Sequence, residues 1–147
     1  MNWKTVSAAA MLAAVVFVPV AFGQGGGLSA KSFGTISSSD LEKWESSGCS
    51  FAAMRGKDLV GIFDTQDKKK TALFKIEGKI VKVSATGKIP QGSYWFGNVA
   101  GNQLRMVKGP KNPRFKNDGG GEGGEGRIEW KGPAGEGSMP IRWEEGC

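Results

Sequence analysis

Histidine is absent from this chain of 147 residues. That absence removes the usual general base at neutral pH, the Ser-His and Cys-His nucleophile pairs, and the commonest zinc ligand. Carboxylates remain, but the candidates fall at predicted strand ends or on outward positions, where a solvated surface charge is expected. These candidates are Asp58, Asp64, Glu129 and Glu144. We therefore expect no enzyme, and we expect neither a cofactor nor a metal ion.

Long apolar runs are scarce, and the longest lies near the amino terminus. Lys4 precedes an unbroken apolar stretch over 8–20, and Ala21-Phe22-Gly23 places small residues at −3 and −1. This pattern predicts a signal peptide over 1–23 that is cleaved before Gln24. The apolar run is shorter than the ~20 residues of a spanning helix. We expect a periplasmic or secreted protein that is not an integral membrane protein.

Cysteine occurs only twice, as Cys49 and Cys147. Two thiols exported to an oxidising compartment are expected to form a disulfide. That bond would join the start of the folded region to its end. The chain is long enough for one domain, which we place over 37–147, after a flexible lead-in over 24–36 that is rich in glycine and serine.

After Cys49 the apolar residues alternate with polar ones, and turn residues recur every eight to twelve positions. The predicted strands span 50–54, 59–64, 71–76, 79–84, 94–99, 103–108, 127–131 and 138–144. Before them, the capping-box spacing of Ser39 and Glu42 predicts one short helix over 37–48, which ends at Gly48. The expected fold is all-β, with about eight short antiparallel strands in a small meander barrel or sandwich.

One hairpin is defined to the residue. Glu77-Gly78 suits a type I′ turn, in which glycine accepts a positive φ. The two-residue loop predicts the pairs Ile76 with Lys79, Phe74 with Val81, and Ala72 with Val83. One face of this hairpin is then apolar, and Lys75 and Lys82 lie on the other.

The segment 109–126 interrupts the alternation, because six of its last eight residues are glycine. Such a composition offers no side chains for a core, so it predicts a mobile surface loop. Glycine-rich calcium turns use aspartate in tandem repeats. Here one imperfect copy carries Glu122 and Glu125 instead, which argues against calcium.

Removal of Lys4 with the leader leaves a net charge of +5 on residues 24–147. An excess of positive charge favours anionic partners, and outside the cytoplasm these are envelope polymers or lipid head groups rather than nucleic acid. The basic candidates form two clusters: Lys68, Lys69 and Lys70, and Lys111, Arg114 and Lys116. The bland alternative is that this charge only keeps the protein soluble.

Tyr94 and Trp95 are candidates for stacking on a sugar or inserting into a partner cleft, because adjacent strand residues point to opposite faces, which can leave one ring exposed. The alternative is that both rings are covered. From these features we expect a monomeric binding module for an anionic envelope component, or alternatively a protein inhibitor of an envelope-active or host enzyme.

The run over 72–83, the aromatic pair Tyr94-Trp95, the later Val107-Lys108-Gly109 and the two distant cysteines resemble small periplasmic β-proteins of bacteria. The best-known comparable group is the C-type lysozyme inhibitors. The resemblance implies an eight-stranded barrel and, as a function, inhibition of a lysozyme. No inhibitory residue of that family is carried over to this chain.

Overall fold

The computed structural model describes residues 27–115 and 119–147. Eight strands account for most of this part of the chain. They are β1 (Ser50–Arg55), β2 (Asp58–Asp64), β3 (Thr71–Ile76), β4 (Lys79–Ser84), β5 (Trp95–Val99), β6 (Asn102–Lys111), β7 (Glu122–Gly132) and β8 (Gly135–Gly146). A 3-10 turn (Ala30–Ser32) and one α-helix, α1 (Ser38–Leu41), precede them. The predicted all-β fold is confirmed.

The strands form one antiparallel sheet in the order β4-β3-β2-β1-β8-β7-β6-β5. Its two edge strands come together after β4, where Ala85 bridges Gly97 and the Thr86 N–H donates to the Phe96 carbonyl at 3.1 Å. The sheet is therefore a nearly closed barrel.

The predicted disulfide is also confirmed: Cys49 is bonded to Cys147. The bond joins the residue before β1 to the residue after β8, and these strands are neighbours, with Ser50 opposite Gly146.

The β3–β4 hairpin has the predicted register throughout. Glu77 and Gly78 have φ values of 49° and 80°, and a type I′ turn requires positive φ at both central positions. The inward residues Ala72, Phe74 and Ile76 are buried in the barrel core. Local turn chemistry and apolar alternation were sufficient to fix this part of the sheet.

Aromatic rings fill most of the barrel. Phe51 packs against Phe63 with ring centroids 5.4 Å apart, and Phe74 packs against Trp95 at the same separation. A second, smaller cluster lies on the outer face of β2 and β3, where Ile62 and Leu73 are covered by Leu41 of α1 and by Trp44. The outer face of this part of the sheet is thus not free for binding.

The prediction of a flexible lead-in is wrong for residues 27–36. The rest of that segment, residues 24–26, lies outside the described residues, as do the predicted signal peptide and its cleavage site. Phe33 is fully buried and packs against Phe74 and Trp130. The Arg55 guanidinium donates to the carbonyls of Ala30 and Phe33 at 2.8 and 2.9 Å. This segment closes the lower end of the barrel, where the β1–β2 and β3–β4 turns lie.

The helix is shorter than predicted, and its N-cap lies two residues earlier than the capping-box spacing indicated. Ser37, not Ser39, is the N-cap, and it forms a capping box with Asp40 rather than Glu42. Lys75 of β3 also donates to Asp40 at 3.0 Å. Gly48 has a positive φ of 94°, but it lies well beyond the end of α1, in the chain that leads to Cys49.

The prediction of a glycine-rich surface loop over 109–126 is wrong at both ends. β6 continues to Lys111 and β7 begins at Glu122, where it pairs with β8. The physical reason is that large rings occupy the space that side chains on β7 would need. The Trp143 indole lies inside the barrel against Gly124, and the Phe115 ring lies outside against Gly123. Glycine is thus required here for close packing.

Among residues 27–115 and 119–147, no helix has the length and apolar character needed to cross a membrane.

Candidate binding surface

The positive charge of the chain is concentrated in one part of the barrel. Residues 65–88, here called the cationic segment, include seven lysines and two acidic residues. The other residues of 24–147 carry twelve basic and twelve acidic side chains. The cationic segment comprises the β2–β3 turn, β3, β4 and the start of the β4–β5 connection, so the whole net charge of 24–147 arises from neighbouring elements of one sheet edge.

Ion pairs make the same contrast within the described residues. Five of the six involve β6–β8: Arg105–Glu129, Arg127–Glu129, Lys108–Glu145, Lys111–Glu122 and Arg142–Glu144. In the cationic segment, Lys75 alone has an acidic partner, Asp40. Most of the cationic segment therefore keeps its charge uncompensated by nearby described residues.

The lysine triplet does not act as a uniform cluster. Lys68 and Lys69 are exposed. Lys70 has a positive φ of 49°, its ammonium donates to the Thr65 carbonyl at 2.8 Å, and its own carbonyl accepts from the Trp95 indole at 2.5 Å. Lys70 is thus part of the turn's internal structure, which leaves Lys68 and Lys69 as its outward charges.

Two aspartates hold this turn in one conformation. Asp64 is 6% exposed and accepts from the Ser47 N–H, from the Ser47 hydroxyl at 2.7 Å and from the Gln66 N–H at 2.8 Å. These bonds, above all the one from the Ser47 N–H, lower the pKa of Asp64 to about 2. Asp67 accepts from the Lys69 and Thr71 N–H groups, which lower its pKa as well. The expectation that Asp64 is a solvated surface charge is wrong, because it caps the turn.

The outer face of β4 continues the exposed positive charge. Lys82 is exposed on this face, opposite Leu73 of β3, and Lys79 is exposed at the hairpin end of the strand, opposite the inward Ile76. Ile80 lies between them and is 40% exposed; it is the exposed large hydrophobic residue of the described chain. Lys88, in the connection to β5, is exposed too.

The second predicted basic cluster is less available. Lys111 is bonded to Glu122 across the β6–β7 pair, and this bond lowers the pKa of Glu122. Arg114 is exposed, and its N–H donates to the Asn112 side chain at 3.0 Å. Lys116 lies outside the described residues. The structure therefore brings Lys111 and Arg114 to one end of the barrel but pairs one of them with an acid.

Trp95 is excluded as a stacking platform. Its side chain is fully buried in the barrel, where the ring lies over Gly97. Phe96, the next residue, points outward and is partly exposed. The period of two holds for Trp95 and Phe96, but it is wrong for the pair Tyr94 and Trp95, because Tyr94 precedes β5 and packs against the same core as Trp95.

Tyr94 lies at the upper end of the barrel, near the disulfide end of β1 and β8. Its ring contacts Phe51 and Phe63 with centroids 4.6 and 5.2 Å apart, and its hydroxyl donates to Glu145. Burial, and then the bond to Glu145, raise the pKa of Tyr94 above its ordinary value. This ring is a packing element of the barrel mouth.

Sequence reasoning missed two inward charges beside Tyr94. The Lys108 ammonium is 2.6 Å from Glu145 Oε2 and 4.3 Å from the centroid of the Trp143 ring. Ammonium groups are attracted to the faces of aromatic rings. The alternation of Leu104, Met106 and Lys108 was the available signal, since it places all three on the inner face.

Within residues 27–115 and 119–147, no group of three or more acidic or cysteine side chains is placed to hold a metal ion. Comparison with protein-family models, curated proteins and solved structures finds no match.

Proposed function

We propose that this chain is a non-catalytic binding module, periplasmic or secreted, that holds an anionic component of the cell envelope through the cationic segment. The shared chemistry of the ligand is a phosphate-bearing polymer or lipid head group. The single observation that carries the proposal is the segregation of charge: residues 65–88 contribute the whole net charge of 24–147.

Charge that only kept the protein soluble would need no such arrangement, since dispersed charge serves solubility equally well. In β6–β8 five of the six basic side chains are paired with acids, whereas exposed lysines of the cationic segment lack acidic partners among the described residues. A cluster of unpaired cations attracts an anionic surface, and each Lys or Arg near such a surface contributes about 1 kcal/mol.

The same observation favours the first basic cluster over the second. Lys68 and Lys69 project from a turn that Asp64 and Asp67 hold in place, so little conformational entropy of the backbone is lost on binding. Lys111 would have to exchange its bond to Glu122 for a bond to the ligand.

The test is retention of the protein on vesicles that contain phosphatidylglycerol, compared with neutral phosphatidylcholine vesicles, and on immobilised teichoic acid and lipopolysaccharide. Binding should weaken as the screening length falls from ~10 Å at 0.1 M salt to ~3 Å at 1 M salt. Lys68→Glu, Lys69→Glu and Lys82→Glu combined should reduce affinity at least a hundredfold, which corresponds to about 3 kcal/mol for three lysines. The probe that retains the protein shows whether the ligand is a lipid head group or an envelope polymer.

The matched control reverses three exposed charges outside the cationic segment, Lys57→Glu, Lys111→Glu and Arg114→Glu. It changes the net charge by the same amount and should retain most of the binding. Equal losses in both triple variants would show that only net charge matters. No retention of the parent on any of the anionic probes at low salt would refute the proposal and favour the inhibitor hypothesis.

A further inference from the structure

A groove of about 730 Å³ lies on the outer face of β5–β8, away from the helix-covered face of β2 and β3. Phe96 of β5 lies opposite Arg105 of β6, Arg105 opposite Glu129 of β7, and Glu129 opposite Ser138 of β8. One row of side chains thus crosses four strands. The volume of the groove is within the range of small-molecule sites, roughly 300–1,000 Å³.

A second row runs beside the first. Gln103 lies opposite Lys131, and Lys131 lies opposite Glu136. All three line the groove. Neighbouring strands are about 4.8 Å apart, so the two rows present hydrogen-bonding groups at short, regular intervals on rigid elements.

The aromatic part of the groove follows from the pleat of β5. Because Trp95 enters the barrel, Phe96 must point outward, and it is left partly exposed at one side of the groove. At the other side the groove is lined by Gly137, while the Trp130 indole opposite it is only 7% exposed because it packs into the barrel against Phe33. The groove therefore combines the Phe96 ring with polar side chains.

The charges of the groove are balanced, and Arg105 and Glu129 hold each other in an ion pair. Arg105 and Lys131 provide two positive charges, and Glu129 and Glu136 provide two negative ones. Glu129 accepts from Arg105 and, at 2.5 Å, from Arg127 Nε. Burial opposes ionisation of Glu129, but the bonds from the two arginines outweigh it and lower its pKa. At neutral pH this carboxylate is a pre-oriented acceptor.

The lining of the groove distinguishes three classes of ligand: it disfavours two of them and suits the third. A wholly apolar ligand would remove these charged groups from water without replacing their hydrogen bonds, which is costly. A polyanion would gain no net attraction from balanced charges. A neutral ring with hydroxyl groups uses both features, since its apolar face packs on an aromatic ring and its hydroxyls donate to carboxylates and accept from guanidinium and amide groups.

We propose that the groove lined by Phe96, Arg105 and Glu129 binds a neutral oligosaccharide, with one sugar ring packed on Phe96. This site is separate from the cationic segment and does not rest on the function proposed for it. The two sites differ in physical signature, because packing on Phe96 and hydrogen bonding to neutral hydroxyls are largely insensitive to salt.

The test is a calorimetric and NMR titration of the protein with chitotriose, maltotriose and cellotriose at millimolar concentration, in 0.1 M and 1 M salt. We expect at least one trisaccharide to bind, with an affinity that changes less than about threefold between the two salt concentrations. Phe96→Ala should weaken that binding about tenfold, and Phe96→Trp should restore it.

Two control proteins keep the result interpretable. Phe115→Ala removes a ring from the outer face of β7, outside the groove, and should leave sugar binding unchanged. The triple variant Lys68→Glu, Lys69→Glu, Lys82→Glu should also bind sugar normally, even where it has lost retention on anionic probes. Absence of binding to all three sugars overturns the proposal, as does binding that Phe96→Ala leaves unchanged in a protein whose thermal unfolding shows that it is folded.

Discussion

Strands β1–β4 have six or seven residues, whereas β6–β8 have ten to twelve. The short strands follow simple apolar alternation, and their outer face is partly covered by α1. The long strands contain many glycines, and rings of Trp130, Trp143 and Phe115 lie against them. One half of the barrel is thus stabilised by local pattern, and the other by contacts between residues distant in sequence.

The two halves also differ in charge. The half with local pattern carries exposed lysines, while the half with long strands pairs most of its charges. The exposed lysines and the polar groove therefore lie on different parts of one sheet. The following changes test this division, from the largest expected effect to the smallest.

The largest effect is expected at the junction of the halves, where β1 pairs with β8. Cys147→Ser removes a bond that closes a loop of about 100 residues. The unfolded chain then gains conformational entropy, which lowers the free energy of unfolding by up to about 4.7 kcal/mol. The melting temperature should fall markedly. Cys49→Ser and the double variant should melt at the same temperature as Cys147→Ser; free-thiol titration that finds two reactive cysteines in the parent would contradict the prediction.

A smaller but still large effect is expected within the glycine-rich strand. A Cβ atom at Gly124 would lie 2.2 Å from the Pro110 carbonyl oxygen and 2.8 Å from Trp143 Nε1. Gly124→Val should destabilise the protein by about 3 kcal/mol, because overpacking forces the ring or the strand to move.

The matched control for Gly124→Val is Lys82→Val on the exposed face of β4, which should change stability by no more than about 0.5 kcal/mol. Urea unfolding monitored by tryptophan fluorescence compares the two. Equal stability of both variants would show that the strand tolerates side chains here and that the loop interpretation was closer to the truth.

The smallest effect is expected in two similar turns, one between β3 and β4 and the other between β5 and β6. Glu77-Gly78 and Ala100-Gly101 both have positive φ at both positions. Asparagine tolerates this conformation better than glutamate or alanine, so Glu77→Asn and Ala100→Asn should each stabilise the protein by up to about 1 kcal/mol. Lys57→Asn is the control, since Lys57 has no positive φ. Thermal unfolding that shows no gain in either turn would contradict the argument.

These contrasts explain how far the sequence could be interpreted. The β3–β4 register was predictable because its determinants, the Glu77-Gly78 turn and the alternation around it, are local. The glycine-rich strand was not, since Gly124 is explained by the Pro110 carbonyl and the Trp143 indole, which lie on two other strands. Phe33 was assigned to a flexible segment for the same reason: its partners Phe74 and Trp130 come from distant strands.

The candidate sites show the same limit. Lys68 and Lys69 were identified as exposed charges from composition alone, whereas Lys70 is bound to Thr65 and Trp95 through contacts that no spacing rule predicts. The outward position of Phe96 follows from Trp95 being inside, where it packs against Phe74 of a distant strand.

The pairing of Ser50 with Gly146 has a consequence for how the protein is made. β1 is the first strand to leave the ribosome and β8 is the last, so the barrel cannot close until its final strand has emerged. Until then β1 presents an unpaired edge on one side, and such edges promote association between chains. Contacts that join remote parts of a chain also slow folding. We therefore expect the rate of barrel closure to govern how much newly made protein reaches the native state.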